Sequence, residues 1–149
     1  MTSLRDAVYA VAAADTGSGG VVPSLPSGLA GLLGGPTSAP PPAPTTPYLY
    51  LQFDAEVPWA PLGPAYEGLF RWRGYDVERA GYVRLRALLL RLRTRYGPYE
   101  QMGGSYFLDT ATGEDVYWLR FLGLSNETVD ETRGLLQLWG DFAYRKVYR

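Results

Sequence analysis

The chain contains no cysteine and no histidine. Without cysteine there is no disulfide and no thiolate chemistry, and the redox compartment cannot be read from the sequence. Without histidine the commonest general base, the usual triad base and the commonest metal ligand are all missing. Catalysis would have to rest on carboxylates, tyrosine or arginine, so a non-enzymatic role with no cofactor and no metal is expected. Lysine occurs once, at Lys146, against thirteen arginines, and asparagine once, at Asn126. A GC-rich genome and selection against thermolabile residues both give such a bias. No apolar run approaches the ~18 residues a membrane helix needs. The first seventeen residues, "MTSLRDAVYAVAAADTG", loosely follow a signal peptide, but Asp6 stands where the apolar stretch should begin.

What is present is a globular composition: 46% hydrophobic and 19% charged over 149 residues, enough for one domain. The net charge of −1 provides no general field for nucleic acid or anionic lipid. Four tryptophans and twelve tyrosines are many for this length. Strand alternation must turn some of them outward, where Tyr, Trp and Arg together are typical of protein interfaces.

Residues 3–15 read as a short helix, with Ser3 and Asp6 as a capping-box start and Leu4, Val8, Val11 and Ala12 as its apolar stripe. A Gly/Pro-rich segment follows over 17–47, expected as an extended loop or an arm lying on a neighbouring subunit, with Leu29, Leu32 and Leu33 as anchors. Its "GSGG" (17–20) lacks the preceding strand and following helix of a phosphate loop. "PYLYLQFD" alternates as a strand, and "LFRWRGY" reads as a second, with Phe70 and Trp72 on one face and Arg71 and Arg73 on the other. A helix is expected over 76–96, capped by Asp76, stopped by Gly97 and Pro98, and carrying the stripe Leu85, Leu88, Leu89, Leu92 and Tyr96. Gly81 weakens its first turns.

Beyond it, "SYFLD" and "DVYWLRFLG" form a hairpin through Gly113, the second strand having apolar groups on both faces. The closing run alternates, with Leu136, Leu138, Phe142 and Tyr144 on one side and Gln137, Trp139, Asp141 and Arg145 on the other, Gly140 marking a bulge or a bend. A chain ending on such an apolar, aromatic and basic run is expected to have that end held in an assembly. The whole is one α+β domain over 1–149: a mostly antiparallel sheet of four to five strands with two helices on one face.

The carboxylate pairs Asp54/Glu56 and Glu114/Asp115 sit at strand ends or turns, where solvated acids are common, and imply no cleft. Five arginines crowd the long helix. Arg84, Arg91 and Arg95 share one flank, which reads as a solvated flank, a phosphate track or a protein interface. The near-neutral charge and scarcity of lysine favour the interface. Trp139, Arg145 and Tyr148 in the last strand complete the candidate contact set with Leu32 and Leu33.

"SLRDAVYAVAAAD", "PYLYLQF", "FRWRGYDVERAGYVRLRALLLRLR" and "ETRGLLQLWGDFAYRKVYR" together resemble the tail terminator (tail completion) proteins of long-tailed phages and gene transfer agents. The resemblance covers most of the chain in element order and departs at 17–47 and in the Pro-rich loop 55–68. It implies a small α+β protein of the virion, assembled in the host cytoplasm into a hexameric ring. That ring caps the head-proximal end of the tail tube, stops tube polymerisation and offers a surface to the head–tail connector protein, while DNA passes through the lumen without sequence-specific binding. No membrane contact is implied. Two other readings stand beside it: a head–tail connector or stopper protein, and a nucleic-acid-binding module using the arginine helix.

Overall fold

The computed structural model describes residues 4–34, 45–59, 65–100 and 114–148. The Ser3 cap, most of the Pro tract, the strand expected at 105–109 and the Gly113 turn lie outside the described residues.

The core follows from two periodicities. In α1 (Leu4–Ala13) the buried side chains are Leu4, Val8 and Ala12, one stripe at helical spacing. In α2 (Val83–Glu100) they are Leu85, Leu88, Leu89, Leu92 and Tyr96. Both stripes join one core with the inward residues of the sheet, so both helices lie on the same face. The sheet is built from four long strands: β2 (Tyr48–Phe53), β4 (Ala65–Asp76), β5 (Glu114–Leu124) and β7 (Leu135–Tyr148). Three short ones, β1 (Leu32–Leu33), β3 (Val57–Pro58) and β6 (Thr128–Asp130), raise the total to seven. The order is β1-β2-β4-β7-β5, with β3 on β4 and β6 on β7, and every pairing is antiparallel except β1 with β2.

β4 and β7 form the spine. Their register runs unbroken from Ala65 opposite Val147 to Asp76 opposite Leu136. On the inner side this stacks Phe70 on Phe142, ring centroids 4.9 Å apart, and sets Trp72 opposite Gly140. Gly140 is therefore not a bulge in this pairing. A Cβ there would meet the Phe121 ring at 3.4 Å, so the glycine leaves room for an aromatic core. The bulges fall on β5, at Val116/Trp118 and Phe121/Gly123. Skipping Tyr117 turns Val116 and Leu119 to the same buried side despite their odd spacing. That shift puts Val116 and Leu119 on the core side and Trp118 on the other. Among the described residues β5 pairs only with β7.

Three local expectations change. Asp76 does not cap α2. It ends β4 fully buried, accepts from the Val77 amide at 2.8 Å and receives Arg84 from the first turn of α2. Gly81 precedes α2 with φ +66°, a left-handed junction that lets the helix start at Val83. Nor do Gly97 and Pro98 stop the helix, which continues to Glu100. Pro98 removes only one backbone bond near the end. The last turn is held by Tyr99 against the core and by the Glu100 carboxylate, which accepts from the Phe121 amide at 2.9 Å.

The segment after α1 is also not a detached arm over its described part. Val21, Leu25 and Leu32 enter the core, and Leu32–Leu33 pair alongside Leu49–Tyr50. The Tyr9 hydroxyl donates to the Leu32 carbonyl at 2.7 Å.

Candidate functional site

The alternation that buries Phe70, Trp72, Phe142 and Tyr144 turns every second residue of the same strands to the opposite face. Among the described residues no helix covers that face. It is not a bland solvated surface. Register sets Arg71 directly across from Asp141, and the pair closes bidentately: Nε donates to Oδ1 at 2.6 Å and Nη2 to Oδ2 at 3.0 Å. The Asp141 carboxylate raises the Arg71 pKa by this hydrogen bond. Arg73 faces Trp139, and both Arg71 and Arg73 lie over its ring, at 4.8 and 5.3 Å. Arg73 Nε also donates to Gln52 Oε1 at 2.7 Å.

Further along, Arg145 pairs across the strands with Trp118 and lies over that ring at 4.6 Å and over Trp59 at 4.3 Å. At the far end Tyr48 stacks on Tyr75, with Arg133 over the Tyr75 ring at 4.8 Å. The Tyr75 hydroxyl accepts from Arg133 Nη1 and Gln137 Nε2. Burial works against the charge on Arg133, but its hydrogen bond to Asp130 together with the charge interactions with Tyr75, Tyr48 and Asp130 outweighs this and raises its pKa. Burial raises the Tyr48 phenol, whose buried oxygen has no hydrogen-bond partner among the described residues. This is a row of planar cations on indole and phenol rings, fixed by a continuous strand register.

The helix arginines have a different setting. Arg84 is bidentate on the buried Asp76, at 2.9 and 2.6 Å. Arg91 is bidentate on Asp15, at 2.8 and 2.9 Å, and Arg95 Nε lies 3.9 Å from the same carboxylate. Asp15 is only 3% exposed, and its pKa is lowered chiefly by the Arg91 hydrogen bond. The flank thus draws α2 onto the loop after α1 and onto the end of β4. A cleft of about 220 Å³ opens beside Gly19, Gly20, Arg84 and Arg91, but both of its cations already have carboxylate partners.

The expected contact residues therefore separate. Trp139 and Arg145 lie together on the helix-free face. Arg84 and Arg91 reach in from the partly exposed flank of α2 to the buried carboxylates of Asp76 and Asp15, with Arg95 beside Asp15. Tyr148, half-exposed at the end of β7, lies edge-on to Tyr66 with Lys146 over its ring. Leu32 is 2% exposed and belongs to the chain's own core, so it is not free to anchor a neighbour; Leu33 is half-buried and Leu29 is exposed.

Glu56 accepts from the Tyr144 hydroxyl at 2.7 Å and from Lys146 at 2.8 Å, and among the described residues no cluster of acids could hold a metal ion. Arg71, Arg73, Trp59, Trp118, Tyr75 and Arg133 are members of the face that sequence reasoning did not single out. Outward alternation pointed to the first two. The placement of Trp59 and Trp118 beside Arg145 depends on register and on a bulge, which periodicity does not encode. Among the described residues no helix is long and apolar enough to cross a membrane. No protein-family model matches this chain, and no curated protein matches it either.

Proposed function

We propose that this chain is a structural subunit of a phage-type tail. In this reading it forms a ring on the head-proximal end of the tail tube, stops tube polymerisation and offers the surface to which the head connector joins. The observation that carries the reading is the helix-free sheet face, where Arg71, Arg73 and Arg145 interleave with Trp139, Trp118 and Trp59. Such a surface has the composition of a protein contact, and rigid aromatic and arginine groups lose little side-chain entropy on docking. Element order adds the resemblance to tail terminators: a helix, two strands, a long helix, then strands ending in "GLLQLWGDFAYRKVYR". In the assembled virion DNA passes through the ring without base-specific contacts.

A neck connector of the same particle shares this surface chemistry and differs in what it caps. The nucleic-acid module is disfavoured because Arg84 and Arg91 are held in bidentate pairs on buried carboxylates. Electron microscopy separates these readings. Purified protein added to polymerising tail tube protein should shorten the tubes and leave a density ring at one end. Tubes of unchanged length with bare ends contradict the terminator reading.

A further inference from the structure

The β2–β4 register sets Tyr48 opposite Tyr75, so the residues that lead into β2 lie against those that follow β4. Between the two segments, Thr45, Thr46, Val77, Arg79, Ala80 and Arg84 line an open hollow of about 610 Å³. Its donors are largely uncommitted. Arg79 is exposed, and neither it nor Thr45 nor Thr46 has a side-chain hydrogen bond or ion pair among the described residues. Arg84 spends Nε and one Nη2 proton on Asp76 and keeps its other N–H groups, its side chain 50% exposed.

The acids around the hollow do not fill it. Asp76 is fully buried beneath Arg84 and already accepts from the Val77 amide and from both arms of Arg84. Glu78 shares a turn with Arg79 but does not line the hollow. Its charge is felt on the β6 side of the junction: burial, then the charges of Glu127 and Glu78, raise the Tyr82 phenol, whose hydroxyl donates to the Thr128 carbonyl at 2.7 Å. Glu127 is held by Arg86. Residues 35–44, which lead into Thr45, contain no acid. Arg79 and Arg84 are matched in number by Asp76 and Glu78, so recognition here rests on convergent donors rather than on net charge.

Two guanidinium groups on one chain segment and two hydroxyls on another suit a tetrahedral oxyanion, whose oxygens point in several directions. A planar carboxylate is saturated by a single fork. We propose that this hollow binds a phosphate group, with Arg79 and the free edge of Arg84 on one side and the Thr45 and Thr46 hydroxyls on the other.

The test is the melting temperature of the full chain in rising inorganic phosphate, against sodium chloride and sodium acetate of equal ionic strength. Phosphate should raise it saturably and acetate should not. Arg79 is exposed and unpaired, so Arg79→Ala should melt with the wild type in chloride while its apparent affinity for phosphate falls about tenfold or more. Thr45→Val should weaken it in the same direction. A wild type with no saturable rise overturns the proposal, as does a rise that Arg79→Ala retains in full or that acetate matches. Each of these leaves the ring reading standing. A labelled double-stranded DNA oligonucleotide then identifies the source of the phosphate. Fluorescence anisotropy that rises with protein, falls with added inorganic phosphate and is lost in Arg79→Ala places it on nucleic acid. No rise, alongside the thermal effect, assigns the hollow to a small phosphate compound.

Discussion

Arg91 grips Asp15 with both arms of its fork, Nε to Oδ2 at 2.8 Å and Nη2 to Oδ1 at 2.9 Å, across 76 residues of chain. The same carboxylate accepts from the buried Val21 amide at 3.0 Å. One side chain thus fixes the loop after α1, the start of the following segment and the middle of α2. Asp15→Ala leaves the Val21 amide without its acceptor, which costs about 1–3 kcal/mol. At about 2–4 °C per kcal/mol for a chain of this size, calorimetry should show a clear drop in melting temperature. Arg91→Glu should likewise lower the melting temperature of the isolated subunit. An unchanged melting temperature in either variant contradicts the structural role.

The pH dependence of Asp15 has a definite sign. Its folded pKa lies below the ordinary aspartate value, so the unfolded chain takes up the proton first. The contribution is whole above about pH 4 and is lost as pH falls through the depressed folded value. Acid titration of stability should be flatter over that range in Asp15→Ala than in the wild type.

Tyr96 joins three elements in the centre of the core. Its hydroxyl accepts from Trp72 Nε1 at 3.1 Å and donates to the Val8 carbonyl at 2.6 Å. Tyr96→Phe leaves the indole N–H and this carbonyl of α1 without their present partner, a loss of about 1–3 kcal/mol measurable by urea unfolding. Burial pushes the Tyr96 phenol far above its ordinary value. A raised folded pKa gives stability that is complete below about pH 10 and declines above it, so Tyr96→Phe should weaken that alkaline decline. Equal alkaline slopes would assign the decline to other tyrosines.

Gly68 lies opposite Tyr144 in the β4–β7 register, and a Cβ there would stand 2.5 Å from the Tyr144 hydroxyl oxygen. That hydroxyl bonds Glu56, which also holds Lys146, so the ring has no easy retreat. Gly68→Ala is expected to destabilise by about 1–3 kcal/mol. Gly17→Ala, where a Cβ meets nothing within 4 Å, should leave stability nearly unchanged. Similar unfolding midpoints for the two variants would show that Tyr144 relaxes freely.

The legible parts of the fold were those governed by a single period. Leu85 to Tyr96 announce an amphipathic helix, and Phe70, Trp72, Leu138 and Phe142 announce strands with one buried face. β5 was less legible because bulges at Tyr117 and Leu122 break its alternation. The Gly/Pro composition after α1 hid the burial of Val21, Leu25 and Leu32, whose irregular spacing follows two short 3-10 turns and a two-residue strand. Trp139 and Arg145 could be placed outward from alternation alone. The helix arginines could not be sorted, because Asp15 and Asp76 become their partners only after the chain folds back.

The central claim is that this chain assembles into a closed ring. Native mass measurement of the purified protein, alone and with tail tube protein, tests it most directly. The expected result is one discrete species of about six subunits, stable to dilution once bound at a tube end. A strictly monomeric mass under both conditions, or an open series of masses with no closed species, would contradict the account.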